Sequence, residues 1–276
     1  MLFRSKAPVV AVIRLHGVIG RMGPMRSGLS LAGLATVIER AFKLKHLKAV
    51  AISVNSPGGS AVQSSLIFKR LRALAEEKDV PILAFAEDAA ASGGYWLACA
   101  GDEIFADENS IVGSIGVISG GFGFPELLRR IGVERRMHTA GANKSILDPF
   151  QPEKADDVKR LKSLQSEIHE SFIALVRSRR GKRLKGEDKE VFSGAFWTGR
   201  MAQELGLIDG IGDVRSVIRD RFGEKVRLRL VQPRRGFLSR RFGFGATSGG
   251  FSAPGDWAGA LIASVEERFH WSRIGL

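Results

Sequence analysis

The chain has 276 residues, and 42 Lys and Arg against 29 Asp and Glu give it a formal net charge of +13 at pH 7. A hydrophobic content of 44% is enough for a buried core, so the chain as a whole is not intrinsically disordered. The single cysteine, Cys99, cannot form an internal disulfide, and no group of Cys and His residues has the spacing of a zinc site. We therefore expect a globular protein of a reducing compartment that needs no metal.

The amino-terminal region and the apolar stretches bear on membrane insertion. Residues 9–15 are too short for the core of a signal peptide, and no cleavage site follows them. The longest uncharged stretch, residues 49–68, contains Asn55, Pro57, two glycines and several serines, which is unlike a membrane span. We predict no signal peptide, no transmembrane helix and a cytoplasmic location.

The positive charge is most concentrated in residues 177–185, at the end of a predicted helix. Cations at this end of a helix interact favourably with its dipole, and no aromatic residues alternate with them. The pattern therefore disfavours binding of nucleic acid. It leaves two interpretations, a solvated face and contact with an anionic membrane.

Apolar, β-branched runs alternate with amphipathic helical patterns in the first part of the chain. The runs at 8–15, 47–54 and 81–87 predict strands, and two patterns between them predict helices at 30–45 and 60–78. Ser30 and Ser60 can cap these helices. The order is typical of an α/β fold with parallel strands joined by helical crossovers. Two further strands are predicted at 103–106 and 112–118.

The rest of the chain predicts one long helix at 152–180 and a strand at 225–231. The composition changes at residue 233, so we divide the chain into a domain, 1–232, and a basic tail, 233–276. Within the tail, a stretch rich in Gly, Ser and Phe predicts a linker, and residues 257–271 predict a short amphipathic helix. That helix could bind a partner or a membrane, or pack on its own domain.

Two glycine-containing turns follow predicted buried strands. The first, N-S-P-G-G-S at 55–60, would let backbone N–H groups converge on an anion at a helix N-terminus, as in an oxyanion hole. A tight strand-to-helix turn also needs glycine for structural reasons, so this motif alone is ambiguous. It is not a phosphate-binding P-loop, because the terminal Lys-Ser/Thr pair is absent.

The second turn, at 89–96, places Ser92 among small residues, where a substrate carbonyl could approach and the Gly93 N–H could donate to it. Alternatively, Ser92 only caps the helix that follows. A nucleophilic serine needs a base, and His138 is the one histidine in a plausible setting. The other candidate is Lys144, in small and apolar company, provided that its surroundings keep the amine neutral.

Five motifs follow one another along the chain, VNSPGGS, AAASGGYWLACA, SIVGSIGVI, AGANKSILDPF and FWTGRMAQELGLIDGIGD. Together they resemble the signal peptide peptidase A (SppA) and SohB family of Ser/Lys peptidases. The resemblance covers residues 9–219 and is specific because all five motifs agree in order. It implies a ClpP/crotonase-like α/β spiral of ββα units, in agreement with the alternation of strands and helices.

The resemblance also implies roles for single residues. Ser92 matches the nucleophile, Lys144 the general base, and Ser114 the serine that hydrogen-bonds the lysine. Backbone N–H groups around Gly58, Gly59 and Gly93 would form the oxyanion hole. No metal or organic cofactor is implied.

The function that the resemblance implies is that of a serine endopeptidase that acts through an acyl-enzyme. The small and apolar residues around the nucleophile, among them those at 89–91, predict a groove for extended apolar peptides such as signal-peptide remnants. The resemblance also implies a homo-oligomeric ring in which neighbouring subunits share active sites. The basic tail predicts peripheral contact with the inner membrane. Two alternatives are a crotonase-like acyl-CoA enzyme and a non-catalytic, membrane-associated scaffold.

Overall fold

A computed structural model describes residues 7–22, 26–233 and 267–276. The strands are β1 (Val9–His16), β2 (Arg21–Met22), β3 (Arg26–Ser27), β4 (Leu47–Ser56), β5 (Ile82–Ala91), β6 (Glu103–Ala106), β7 (Ile111–Gly113), β8 (Phe196–Thr198), β9 (Gly210–Ile211) and β10 (Arg227–Leu230). The helices are α1 (Leu31–Phe42), α2 (Ala61–Lys78), α3 (Gly93–Ala98), α4 (Pro125–Arg130), α5 (Ala155–Arg180), α6 (Asp188–Val191), α7 (Gly199–Glu204) and α8 (Val214–Phe222). Residues 267–272 are also helical.

The main sheet has the strand order β10-β1-β4-β5-β6-β9, and all these neighbours are parallel. Strand β7 extends the sheet beside the end of β5, and β8 pairs with β7 in the antiparallel sense. Helices α1 and α2 connect successive parallel strands. The α/β class predicted from the alternation is confirmed.

Local sequence signals place the ends of the first two helices. The Ser30 hydroxyl accepts a hydrogen bond from the Gly33 N–H at 3.3 Å, and the Ser60 hydroxyl accepts one from the Gln63 N–H at 3.3 Å. Each bond satisfies an N–H group that has no partner within its own helix. The two predicted caps are therefore confirmed.

Two predicted elements are shorter than expected. The strand predicted at 112–118 ends at Gly113, because Gly113 and Ser114 have φ values of +116° and +53°, outside the range of extended backbone. The long helix predicted from residue 152 begins at Ala155 and ends at Arg180 as expected.

Charge pairs occupy the end of α5 that the sequence predicted as a solvated or membrane-binding face. Arg180, with 1% of its side chain exposed, donates two hydrogen bonds to the Asp209 carboxylate at 2.7 and 3.1 Å. Arg179 donates to Asp102 at 3.1 Å, and Arg183 donates to Asp209 at 3.0 Å. Much of this charge is thus neutralised within the protein, and the ion pairs hold the last residues of α5 beside Asp102 and Asp209, which directly precede β6 and β9.

Two buried side chains of α3 and its C-terminal end, Tyr95 and Cys99, belong to the core. The Tyr95 hydroxyl donates to the Leu207 carbonyl at 2.7 Å and is fully buried. Burial also raises the pKa of the Cys99 thiol to about 12, which keeps it protonated at neutral pH. The one cysteine is therefore part of the core rather than a reactive group.

The chain forms two compact units. One contains Met1–Ile115 with Ile173–Leu276, and the other contains Gly116–Phe172. The predicted boundary between a domain at 1–232 and a tail at 233–276 stays a prediction, because most of the tail lies outside the described residues. Within the described part of the chain, no helix has both the length and the apolar character of a membrane span.

Candidate active site

The two glycine turns predicted from the sequence lie against each other. They follow the neighbouring strands β4 and β5 and open helices α2 and α3. A Cβ atom added to Gly58 would lie 2.7 Å from the Cβ of Ser92 and 3.0 Å from the backbone nitrogen of Gly93. A Cβ on Gly59, whose φ is +136°, would lie 2.1 Å from the Ile19 carbonyl oxygen. Both glycines are needed for this close approach.

Ser92 occupies a strained turn between β5 and α3. Its φ and ψ are +52° and −121°, in a region that non-glycine residues rarely adopt. The Ser92 N–H donates to the Gly113 carbonyl at 2.8 Å, and its carbonyl accepts from the Trp96 N–H at 3.0 Å, so the backbone is held on both sides. The side chain makes no capping hydrogen bond to α3. The alternative that Ser92 only caps this helix is therefore not supported.

Two backbone N–H groups beside Ser92 have no acceptor among residues 7–22, 26–233 and 267–276. They belong to Gly59 and Gly93, and a Cβ built on Gly93 would be 3.4 Å from the Gly59 nitrogen. The N–H of Gly58, by contrast, is donated to the Ser56 hydroxyl at 3.2 Å. Of the three predicted oxyanion glycines, Gly59 and Gly93 thus have available donors, and Gly58 provides space for Ser92.

Ser114 follows the strand that pairs with the end of β5. Ala91 and Gly113 are partners in the β5–β7 ladder, so Ser92 and Ser114 are the next residues along two paired strands. The Ser114 N–H donates to the Ala195 carbonyl at 2.6 Å. Its backbone position is therefore fixed next to that of Ser92.

Lys144 belongs to the unit Gly116–Phe172. It is an exposed residue of a turn, where its N–H donates to the Gly141 carbonyl at 3.2 Å. The loop after it is held to its own unit by Asp157, which accepts from the Leu147 N–H at 3.2 Å. His138, the competing base, is an exposed residue of the same unit.

A group of polar side chains near the ends of β1, β4 and β5 was missed by the sequence analysis. His16 Nε2 lies 2.8 Å from the Ser53 hydroxyl, which in turn donates to the Glu87 carboxylate. This is not a second catalytic triad, because the serine bonds the carboxylate directly and the same ring nitrogen of His16 faces both groups. Ser53 is also only 2% exposed. The signal that could have revealed it is the pair of acidic residues within the otherwise apolar run of β5.

The last residues of the chain pack beside the strand that leads to Ser92. Ile274, which is 6% exposed, forms a buried cluster with Ala89 and Ala91, and Trp271 packs against the same cluster. The sequence left open whether the end of the tail binds a partner or a membrane, or packs on its own domain. Trp271 and Ile274 pack on their own domain. The remainder of the predicted helix and the linker lie outside the described residues.

Because Ile274 packs beside the strand that leads to Ser92, we expect Ile274→Ala to lower both the free energy of unfolding and the rate of peptide hydrolysis. Truncation of a buried Ile costs about 2 kcal/mol or more, and should lower the thermal midpoint by roughly 4 °C or more in a protein of this size. Thermal unfolding and peptide hydrolysis would measure the two effects. Phe269→Ala is the matched control, since Phe269 is 64% exposed in the same segment. Equal results for the two variants would contradict the packing role.

A parallel sheet that ends in a strained strand-serine-helix turn, next to two unpaired N–H groups, is typical of enzymes that transfer acyl groups to serine. The model of peptidase family S49 matches residues 74–226, which is more than half of the chain. The chain belongs to peptidase family S49, in agreement with the resemblance predicted from its motifs.

Individual relatives are longer proteins. Serine protease SPPA from the chloroplast of Arabidopsis thaliana is 33% identical over 217 residues, which cover 76% of this chain and 31% of that protein. Protease 4 of Haemophilus influenzae is 31% identical over 217 residues, which cover 76% of this chain and 34% of that protein.

A protein of Brucella abortus named Na(+)/H(+) antiporter NhaA is 54% identical over 280 residues, which cover 99% of this chain and 38% of that protein. This chain matches only 38% of the protein that carries the antiporter name. We therefore do not extend that name to this chain. The chain spans about a third of the length of these relatives.

Proposed function

We propose that the protein is a serine endopeptidase in which Ser92 is the nucleophile and Lys144 the general base. The observation that carries the proposal is the strained conformation of Ser92 beside the available N–H groups of Gly59 and Gly93. Strain of this kind is stored where a side chain must be presented for chemistry. Membership of peptidase family S49 supports the same reaction class.

The proposed reaction has two steps. Ser92 Oγ attacks the peptide carbonyl carbon while Lys144 accepts the hydroxyl proton, and the N–H groups of Gly59 and Gly93 stabilise the oxyanion. When the C–N bond breaks, the lysine returns the proton to the leaving amine. A water molecule then hydrolyses the acyl-enzyme and restores the serine. Ser114 would hydrogen-bond the lysine and orient it.

The proposed substrates are extended apolar peptides such as signal-peptide remnants, because the residues that precede Ser92 are small and an extended peptide can pair with a strand edge. The proposed assembly is a ring whose neighbouring subunits complete each other's active sites. Large exposed apolar residues in the unit Gly116–Phe172 support such contacts, among them Phe122 at 80% and Ile118 at 63% exposure. Cytoplasmic location, with peripheral inner-membrane contact through the basic tail, belongs to the same proposal.

Labelling with a fluorophosphonate tests the proposed nucleophile. The probe phosphonylates activated serines, so we expect it to label the protein and to be found on Ser92 by mass spectrometry of the digest. Ser92→Ala should not be labelled, whereas Ser178→Ala, a change of an exposed serine on α5, should be labelled as the parent is. An unlabelled parent protein would favour a crotonase-like acyl-CoA enzyme or a scaffold instead.

A further inference from the structure

Strand β5 contains an irregularity just before the serine turn. Val54 pairs with Ala86, and Ser56 pairs with Ala90. Strand β4 thus advances by two residues where β5 advances by four, so β5 carries two additional residues in a bulge. Bulges next to active sites redirect the side chains that follow them.

The side chain of Asn55 closes this bulge from the neighbouring strand. Its Oδ1 accepts a hydrogen bond from the Ala89 N–H at 3.2 Å, and its Nδ2 donates to Asp88 Oδ2 at 2.6 Å. The irregular ladder would otherwise leave the Ala89 N–H without an acceptor. One amide group therefore bonds both the backbone and a side chain of the bulge.

A second contact holds the other end of the bulge. Ser53, on the same strand as Asn55, donates its hydroxyl hydrogen to the Glu87 carboxylate. His16 Nε2 lies 2.8 Å from the Ser53 hydroxyl and 3.4 Å from Glu87 Oε1, which connects this contact to β1. Side chains of β4 thus bond three consecutive residues of β5, from Glu87 to Ala89.

The position of these bonds matters for the proposed chemistry. Asn55 precedes Gly58 by three residues, and its partner Ala89 precedes Ser92 by three residues. The register of the bulge therefore determines how the glycine turn faces the serine turn. Loss of the two additional residues from the bulge would move Ser92 by roughly 6.6 Å along its strand, far beyond what an oxyanion hole tolerates.

We propose that Asn55 is a positioning residue, which sets the register between the strand that carries Gly59 and the strand that carries Ser92. The proposal rests on the proposed function, since it assigns Asn55 to the alignment of that nucleophile. In this role Asn55 acts through its contacts with β5 and not on the substrate. Its bonds to Ala89 and Asp88 hold the Ser92 hydroxyl at the correct distance from the two N–H donors.

A polarity exchange tests this role. Asn55→Asp places a carboxylate opposite Asp88 in place of an amide donor, and we expect kcat to fall by about 10²-fold, since small misplacements of reacting groups have effects of that size. KM should change little. Asp88→Asn alone should keep kcat within about threefold, because Asn can still accept from Asn55. The double variant Asn55→Asp with Asp88→Asn restores a donor–acceptor pair and should regain most of the lost kcat.

Asn109→Asp is the matched control. Asn109 also donates its side-chain amide to a carboxylate, that of Asp107 at 3.0 Å, but in an exposed turn between β6 and β7. The kcat of Asn109→Asp should stay within about twofold of the parent value, since an exposed polar pair of this kind contributes little.

Thermal midpoints of all variants distinguish misalignment of the active site from loss of folding. If Asn55→Asp does not fold, Asn55→Ser, which is neutral and shorter, should give the same selective loss of kcat.

The outcomes distinguish this proposal from the one on which it rests. A folded Asn55→Asp with the kcat of the parent, or a folded double variant as slow as the single one, would overturn the positioning role. Hydrolysis by Ser92→Ala at the parent rate would overturn the proposed nucleophile, whatever the Asn55 variants do. Loss of hydrolysis in Ser92→Ala with full activity in Asn55→Asp would leave the nucleophile in place and remove only the positioning role.

Discussion

Replacement of Ser92 by alanine is expected to lower kcat for a short peptide by about 10⁴-fold or more, because no acyl-enzyme can form. Lys144→Ala should reduce kcat to a similar level, since a serine hydroxyl without a base is a poor nucleophile. The double variant should be no slower than either single variant, because nucleophile and base act as one unit. Initial rates with a fluorogenic peptide would measure all three.

Two further serine variants should have smaller effects on kcat than loss of the nucleophile or the base. Ser114→Ala should retain the fold and lower kcat by a smaller factor, because the proposed hydrogen bond only orients Lys144. Ser178→Ala is the control for loss of a serine hydroxyl and should behave as the parent does. The Ser/Lys pair would be contradicted by full activity of either single variant, or by a double variant that is much slower than both.

The largest expected effect on stability is that of Asp209→Ala. Arg180, with 1% of its side chain exposed, would lose both hydrogen bonds to the carboxylate and remain as a buried, unpaired charge. Removal of one partner of a buried ion pair costs about 3–5 kcal/mol. Urea unfolding would measure the change in the free energy of unfolding. Asp188→Ala is the matched control, because Asp188 pairs with Arg177 but is 68% exposed, and should cost at most about 1 kcal/mol.

The same carboxylate predicts a pH dependence. Burial opposes ionisation of Asp209, but hydrogen bonds from Arg180 and the Ile104 N–H, with the charges of Arg180 and Arg183, outweigh it and lower the pKa of Asp209 in the folded protein. Its contribution to stability is therefore complete above the unfolded-state pKa of about 3.9 and is lost as pH falls toward the folded-state value. Asp209→Asn lacks the carboxylate, so it should be less stable than the parent at neutral pH. The difference in free energy of unfolding between the two proteins should shrink as the pH falls below the unfolded-state pKa. A constant difference from pH 7 to pH 3 would contradict this assignment.

Sequence patterns predicted the elements whose determinants are local. Strands β1, β4 and β5 follow β-branched apolar runs, and α1 and α2 follow apolar periodicity behind serine caps. These signals act within one strand or one helical turn, so they can be recognised without knowledge of the rest of the fold. The glycine turn and the serine turn were found for the same reason, because backbone with positive φ restricts the residues that can occupy it.

Partners distant in the chain were decided by the tertiary structure. The cationic end of α5 was predicted as a solvated or membrane-binding face, yet Arg180 bonds Asp209, which lies 29 positions further along the chain, and its side chain is buried. Composition indicates how many charges a segment carries, but the residues that pack against it determine whether those charges are solvated. The docking of Ile274 beside Ala89 is a second example, since an amphipathic pattern shows that one face is apolar without showing what covers it.

By itself, therefore, the sequence determined the α/β class, the main helices and strands, the peptidase family and the candidate residues Ser92, Lys144 and Ser114. Only the tertiary structure revealed that β5 carries a bulge and that Asn55 bonds it, and which of the candidate glycines have N–H groups available. The physical reason is that a ladder register and an unpaired donor are relations between two segments. They arise when β4 and β5 pair, and neither segment encodes them in its own pattern of residues.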